Sequence, residues 1–245
     1  MIIENFFRKK DIYLIKNNGV RGNLIKDCNI EDYLDILNDF HKRLREEDEI
    51  LSLSIGSTIG KYYEWCNVMI RRIKREHKNI LYKKDLNRIE EMYLEIFPKV
   101  IEVAEGAIKS INYSDYIEII KRAMRRNELI LGNCSLDNIY KINNKIYIRD
   151  IESISFNSLE EDLILLINKL KKKKINYNLD NLINDYIIKE NLNSISKNYI
   201  KAMTVYPSES MKVFEKIRQG RKKWTEDESI KKIKASLKKD NISGV

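Results

Sequence analysis

The chain has 245 residues, 43% of them hydrophobic, enough to bury a sizeable core in one large domain or two small ones. Eight glycines and two prolines are too few for a turn-rich all-β fold. No apolar run reaches the roughly 18 residues that cross a bilayer, and the +9 net charge points either to a mixed solvated surface or to a polyanionic partner.

The predicted elements open with a strand over 11–17, followed by a turn at Asn17-Asn18-Gly19 and a short return strand over 22–27. Asn29 then caps a helix whose inward stripe is Ile30, Tyr33, Leu34, Leu37, Phe40 and Leu44. Ser57 or Thr58 opens a second helix, with Cys66, Met69, Ile70 and Ile73 on its apolar face. A third starts near Asp85 and contains Pro98, which removes one backbone donor and should kink it. A fourth begins at Ser114 with Ile117, Ile120 and Met124 inward.

The period then changes from helical to alternating. Three short strands are expected at 128–133, 138–142 and 145–150, with Asn143-Asn144 as the turn between the last two. Ser158 to Glu161 has the spacing of a capping box for a helix through Leu170. Further helices follow at about 178–190, 192–204, 208–219 and 225–239, the last opened by a second capping box, Thr225 to Glu228. The fold class is therefore α+β, predominantly helical, with a small β insert. Its domain reading is an amino-terminal piece over 1–28, a helical body over 29–239 and a tail fraying from 240 to 245.

Three scattered cysteines, Cys28, Cys66 and Cys134, and two histidines, His41 and His77, signal neither a disulfide framework nor a metal site. Basic residues cluster at 42–46, 71–78, 171–174 and 218–224. No zinc-finger spacing, aromatic RNA-binding motif or helix-turn-helix pattern accompanies them, so nucleic acid ranks as a minor partner. The start MIIENFFRKK lacks the apolar stretch and cleavage site of a secretory leader, which places the protein inside the producing cell.

The informative stretch is LGNCSLDNIYKINNKIYIRD, residues 131–150. Phosphoryl transfer uses a loop carboxylate to accept the proton of the attacking hydroxyl. It also uses an Asn five residues later and, beyond a hairpin, an Asp that holds magnesium against the nucleotide phosphates. Asn138 and Asp150 occupy the two metal positions, and Asn133 stands where the base belongs. An amide cannot accept the proton, and general-base help is typically worth about 10² to 10⁴ in rate. Asn138 and Asp150 also suit purely local roles, capping the loop and bonding the backbone amides where a strand ends.

This segment resembles the HGDxxxxN and IDxE motifs of aminoglycoside phosphotransferase-like kinases, within them the CotS-type spore coat branch. Leu131-Gly132-Asn133 stands at His-Gly-Asp, Asn138 at the Asn, and Ile148 to Glu152 at IDxE. Asp39-Phe40-His41-Lys42, Trp65, the run Ala107 to Tyr116 with Ala123, Glu161-Asp162-Leu163, Tyr206-Pro207 and Lys222-Lys223-Trp224 extend the likeness over roughly 11–235. The resemblance implies a kinase-like carboxy-terminal lobe with residues 1–28 as a remnant of the amino-terminal lobe. Only 39 residues precede Phe40, too few for the family's five-stranded lobe. Lys16 and Lys26 are nucleotide-contacting lysines by residue type alone. His41 reads as a packed helix-end histidine, and Asp162 as a helix-start anion bonded to the loop.

The resemblance further implies a non-catalytic structural protein, made in the mother-cell cytoplasm and deposited on the spore coat beside other coat proteins. It implies no cofactor. The alternative is a weakly active phosphotransferase using magnesium and ATP, and a basic nucleic-acid-binding protein ranks third.

Overall fold

The structure, a computed structural model, describes residues 2–15, 29–45, 49–50, 53–220 and 222–242. The expected turn at 17–19, the strand over 22–27, Lys16, Lys26 and Cys28 lie outside these residues. The chain divides into two compact units. The first comprises residues 1–60 and 113–200, the second 61–112 and 201–245.

Unit 1 opens with α1 (Ile2–Lys9), which the sequence reading did not anticipate. Phe6 and Phe7 bury one face of it. The strand expected next is β1 (Ile12–Leu14). Helix α2 (Ile30–Leu44) is capped as expected, Asn29 Oδ1 accepting from Asp32 N at 2.7 Å. Its buried stripe contains Tyr33, Leu34, Leu37, Phe40 and Leu44.

Within unit 1, α5 (Tyr113–Arg125) leads to β2 (Leu129–Ile130), β3 (Ile139–Ile142) and β4 (Lys145–Ile148). A fifth strand, β5 (Ser155–Phe156), pairs antiparallel with β2. Strand β4 is central in a three-stranded sheet, antiparallel to β3 and parallel to β1. Ile12, Ile139, Ile146 and Ile148 are buried. Helices α6 (Glu160–Lys173), α7 (Leu179–Lys189) and α8 (Ser194–Val205) follow, the last reaching the boundary with unit 2 at Ile200.

Two expectations in this unit fail for one reason. Ser158 to Glu161 forms no capping box, because Leu159 is the N-cap and no side chain caps the helix. Instead Glu160, Glu161 and Asp162 all turn inward and are buried. Helix α5 likewise buries Tyr116, Ile119 and Ala123, and leaves Met124 61% exposed. The face is chosen by Arg122, which lies on the same side. Its Nε and Nη2 donate to Glu128 at 3.0 Å each, and its Nη1 and Nη2 donate to Glu160 at 2.8 and 2.7 Å. A buried polar cluster outbid apolar periodicity, which counts only hydrophobic residues. Thr58 is no helix start either. It donates its N–H to Phe156 O at 2.9 Å and shares a 2.7 Å hydroxyl bond with Ser155, so it belongs with β5.

Asp162 binds His41 of α2. His41 Nε2 lies 3.0 Å from Asp162 Oδ2, and its Nδ1 lies 2.8 Å from Glu190 Oε1. Burial alone would lower the His41 pKa, but the Glu190 charge and the bonds to both carboxylates raise it from 6.5 to about 9. Both ring nitrogens therefore donate, and the ring is an imidazolium at neutral pH. Arg45 adds a second cation to Glu190 at 2.6 Å. Glu161 accepts from Tyr199 Oη at 2.7 Å. Burial raises its pKa from 4.5 to about 7 despite that bond.

Unit 2 contains α3 (Lys61–Leu81), α4 (Arg88–Lys109), α9 (Ser208–Arg218) and α10 (Glu226–Lys239). Asn87 and Glu90 form a capping box on α4, and Thr225 and Glu228 form the expected one on α10. Pro98 sits inside α4, which runs unbroken through it. Tyr93, Phe97 and Phe214 pack as a trio, with the first two stacked at 4.4 Å and Phe214 edge-on to both. The tail expected to fray from 240 is anchored at its start. Asp240 Oδ2 accepts from Ser210 N at 2.7 Å, and Ile242 is buried.

Arg122→Ala leaves Glu160 without its cation and Glu128 with only Arg126, at 3.9 Å. Loss of about 3 to 5 kcal/mol in urea unfolding is expected, and a loss below about 1 kcal/mol would contradict this account. The His41 and Glu161 shifts share one sign. Both groups bind protons more tightly folded than unfolded, so their stabilisation is complete at low pH. It is lost for Glu161 as pH rises from about 4.5 to 7 and for His41 from about 6.5 to 9. Unfolding midpoints should fall across that range. His41→Gln should remove the alkaline part of the fall, on the order of 3 kcal/mol. A profile as steep in His41→Gln as in the parent would refute the assignment.

Candidate functional site

The site lies wholly within unit 1, in the loop between β2 and β3 and the turn after β4. Asp162 shapes the loop. Its Oδ2 accepts from Leu131 N at 2.7 Å and its Oδ1 from Gly132 N at 2.9 Å. The Cys134 thiol donates to Oδ1 at 3.3 Å. The carboxylate thus bridges His41 and the loop backbone, as the reading of Asp162 as a loop-bonded anion expects. Cys134 is fully buried, and burial together with the Asp162 charge pushes its thiol pKa up, so it is no thiolate.

Gly132 is required here. Its φ is +71°, a left-handed value, and a Cβ would lie 2.1 Å from the Ser153 carbonyl oxygen. The loop is therefore pressed directly against the segment that follows Asp150. This close approach brings the three sequence-predicted residues together. Asn133 Nδ2 donates to Asp150 Oδ2 at 2.9 Å. Asn138 Nδ2 donates to the Asn133 carbonyl at 2.8 Å, and Asp150 N donates to Asn138 Oδ1 at 2.8 Å. Asn133, Asn138 and Asp150 form one hydrogen-bonded cycle, with Asn138 buried at its centre.

Asp150 takes more donors than these. Ser153 Oγ donates to its Oδ2 at 2.9 Å and Glu152 N to its Oδ1 at 3.0 Å. Burial would raise the Asp150 pKa, but the bonds from Asn133, Ser153 and the backbone bring it below the ordinary carboxylate value. Asp150 stays ionised at neutral pH. Sequence reading missed Ser153, and no spacing marks it. It is placed by the turn that also buries the Gly132 contact.

Magnesium takes six oxygens in octahedral array and usually relies on one or two carboxylates plus substrate phosphates. Here Asp150 is the carboxylate of the cluster, and each of its oxygens already accepts a protein hydrogen bond. The Asn138 amide oxygen accepts as well. Among the described residues no group of three or more His, Cys, Asp or Glu side chains is gathered for a metal. Asp150 Oδ1 and Asn138 Oδ1 each keep a lone pair beyond the hydrogen bond they accept, and an ion there would draw the rest of its shell from outside the chain. Asp137 is exposed and lies 3.9 Å from Arg149. All oxygens of Asp162 are engaged. Among the described residues the loop offers no unengaged carboxylate at the proton-acceptor position.

No protein-family model and no curated protein sequence matches the chain. Among solved structures, the fold is similar to the crystal structure of an aminoglycoside phosphotransferase from Alicyclobacillus acidocaldarius subsp. acidocaldarius DSM 446. The TM-score is 0.67 at 10% sequence identity, over 86% of this chain and 62% of that one. The chain thus spans less than two thirds of that phosphotransferase's length, and at this identity the likeness concerns the fold. The architecture is that of a kinase-like phosphotransferase, predominantly helical with small sheets.

Proposed function

We propose that this chain is a non-catalytic structural and interaction protein built on a phosphotransferase fold. The carrying observation is the bond from Asn133 Nδ2 to Asp150 Oδ2. A proton acceptor is needed at position 133, and the side chain there is a donor turned onto the metal-position carboxylate. The cycle that results is a complete local structure, with its donors and acceptors matched inside the chain. It holds the β2–β3 loop against the turn after β4, the work of a structural motif.

The place of action follows from the sequence resemblance to CotS-type proteins. The chain is deposited on the spore coat from the mother-cell cytoplasm and docks there on other coat proteins. No helix among the described residues is long and apolar enough to cross a membrane. A second reading, weak magnesium-ATP-dependent phosphotransfer, draws support from the ionised Asp150 beside Asn138. It needs an ion to share the Asp150 oxygens with the hydrogen bonds they already accept.

Magnesium and ATP together should leave the melting temperature unchanged. Ligand at 100 times its dissociation constant would add about 2.7 kcal/mol. A reproducible upward shift that Asp150→Ala abolishes would therefore overturn the non-catalytic reading. Asn133→Asp replaces a donor with an acceptor facing Asp150. It should cost about 1 to 3 kcal/mol and bring no ATP turnover, and turnover in that variant would show a working pocket. Fractionation of sporulating cells should place the protein in the coat. Recovery from vegetative cytosol alone would remove the coat assignment.

A further inference from the structure

The net charge is confined to one unit. Unit 1 holds 23 basic and 23 acidic residues and is formally neutral. Unit 2 holds 23 basic and 14 acidic residues and carries the entire excess of +9. In sequence the basic clusters look evenly spread, because unit 2 is assembled from two distant segments.

Within unit 2 the excess is ordered on α3. Its buried side is Cys66, Met69, Ile70, Ile73 and Ile80. On the outward side, Arg71, Arg75 and Lys78 stand four and three residues apart, which places them in one row along the helix. Their neighbours Arg72 and Lys74 are neutralised by Glu215 and Glu105. Arg71, Arg75 and Lys78 are exposed and have no ion pair or hydrogen bond among the described residues. The same row ends at Tyr82, one residue past the helix, with 80% of its surface exposed. The row is about 16 Å long at 1.5 Å per residue.

From this we infer that the outward face of α3 binds single-stranded nucleic acid through its phosphate backbone, with Tyr82 stacking on an unpaired base. Three unneutralised cations in line match a polyanion. A protein partner would need an apolar centre to desolvate; the row continues to Glu64 and is flanked by Arg72, Lys74 and Asn79, with the half-buried Val68 and Leu81, 58% exposed, the apolar neighbours. Nucleic-acid interfaces are far more polar and positive. An exposed aromatic beside backbone-binding cations is the arrangement by which single strands are held without sequence readout. The reading does not rest on the fate of the phosphotransfer loop, since α3 belongs to unit 2 and the loop to unit 1.

The test is fluorescence anisotropy of a labelled single-stranded oligonucleotide titrated with the full chain at several salt concentrations. The parent should bind with a steep negative slope of log affinity against log salt. The triple variant Arg71→Gln, Arg75→Gln, Lys78→Gln should flatten that slope by about 2. Tyr82→Ser should lower affinity at least about fivefold with the slope unchanged. A control triple of equal charge change in unit 1, Lys172→Gln, Lys173→Gln, Lys174→Gln, should leave the slope as in the parent. Circular dichroism and melting confirm that each variant is folded. The inference falls if the parent does not bind at low salt, or if the control flattens the slope as much as the α3 triple. It falls equally if poly-glutamate or phosphatidylserine vesicles compete as well as unlabelled oligonucleotide at equal anionic charge.

Discussion

Three consecutive carboxylates are buried at the start of α6, and each must find a partner inside unit 1. Glu160 takes Arg122, Glu161 takes the Tyr199 hydroxyl, and Asp162 takes His41 with two loop amides. Taking such groups out of water costs several kcal/mol apiece unless hydrogen bonds and charge replace the lost hydration. That need dictates where α5, α2, α8 and the β2–β3 loop lie relative to α6. The helix amino terminus adds a favourable field for the same acids. Arg122 also binds Glu128 just before β2, so one guanidinium ties the end of α5 to both α6 and the short sheet.

The loop inherits its shape from this arrangement. Asp162 pins Leu131 and Gly132, and Gly132 meets the Ser153 carbonyl. The contact holds Asn133 beside Asp150. The β2–β3 loop and the turn after β4 are thereby tied to each other by an amide-to-carboxylate hydrogen bond. Asn133 places an amide donor against the Asp150 carboxylate, where an acid would face it as a like charge. The fold as a whole is similar to that of a phosphotransferase at 10% identity.

The two units divide the chemistry. Unit 1 has equal numbers of basic and acidic residues and buries ion pairs around Arg122 and His41. Unit 2 relies on aromatic and aliphatic packing, with Tyr93, Phe97 and Phe214 at its centre, and leaves its surplus cations facing water. A surface charge that no internal partner neutralises is available to an external one, and α3 concentrates three such charges with an exposed ring.

Much was legible in the residues alone. Asn29 and Thr225 sit where local capping chemistry marks helix starts, and the change of period near Glu128 marks the β insert. These are short-range effects, complete within a few residues of chain. The spacing of Asn133, Asn138 and Asp150 likewise announced that the three residues lie together. Only tertiary structure decided which way Ser158 to Asp162 would turn, because the competing partners Arg122, Tyr199 and His41 lie 38 to 121 residues away. It also decided the parallel pairing of β1 with β4, the inward face of α5 and the gathering of the whole net charge into one unit. Each of these depends on contacts whose cost and benefit are set by residues distant in sequence, and periodicity or local propensity carries no record of them.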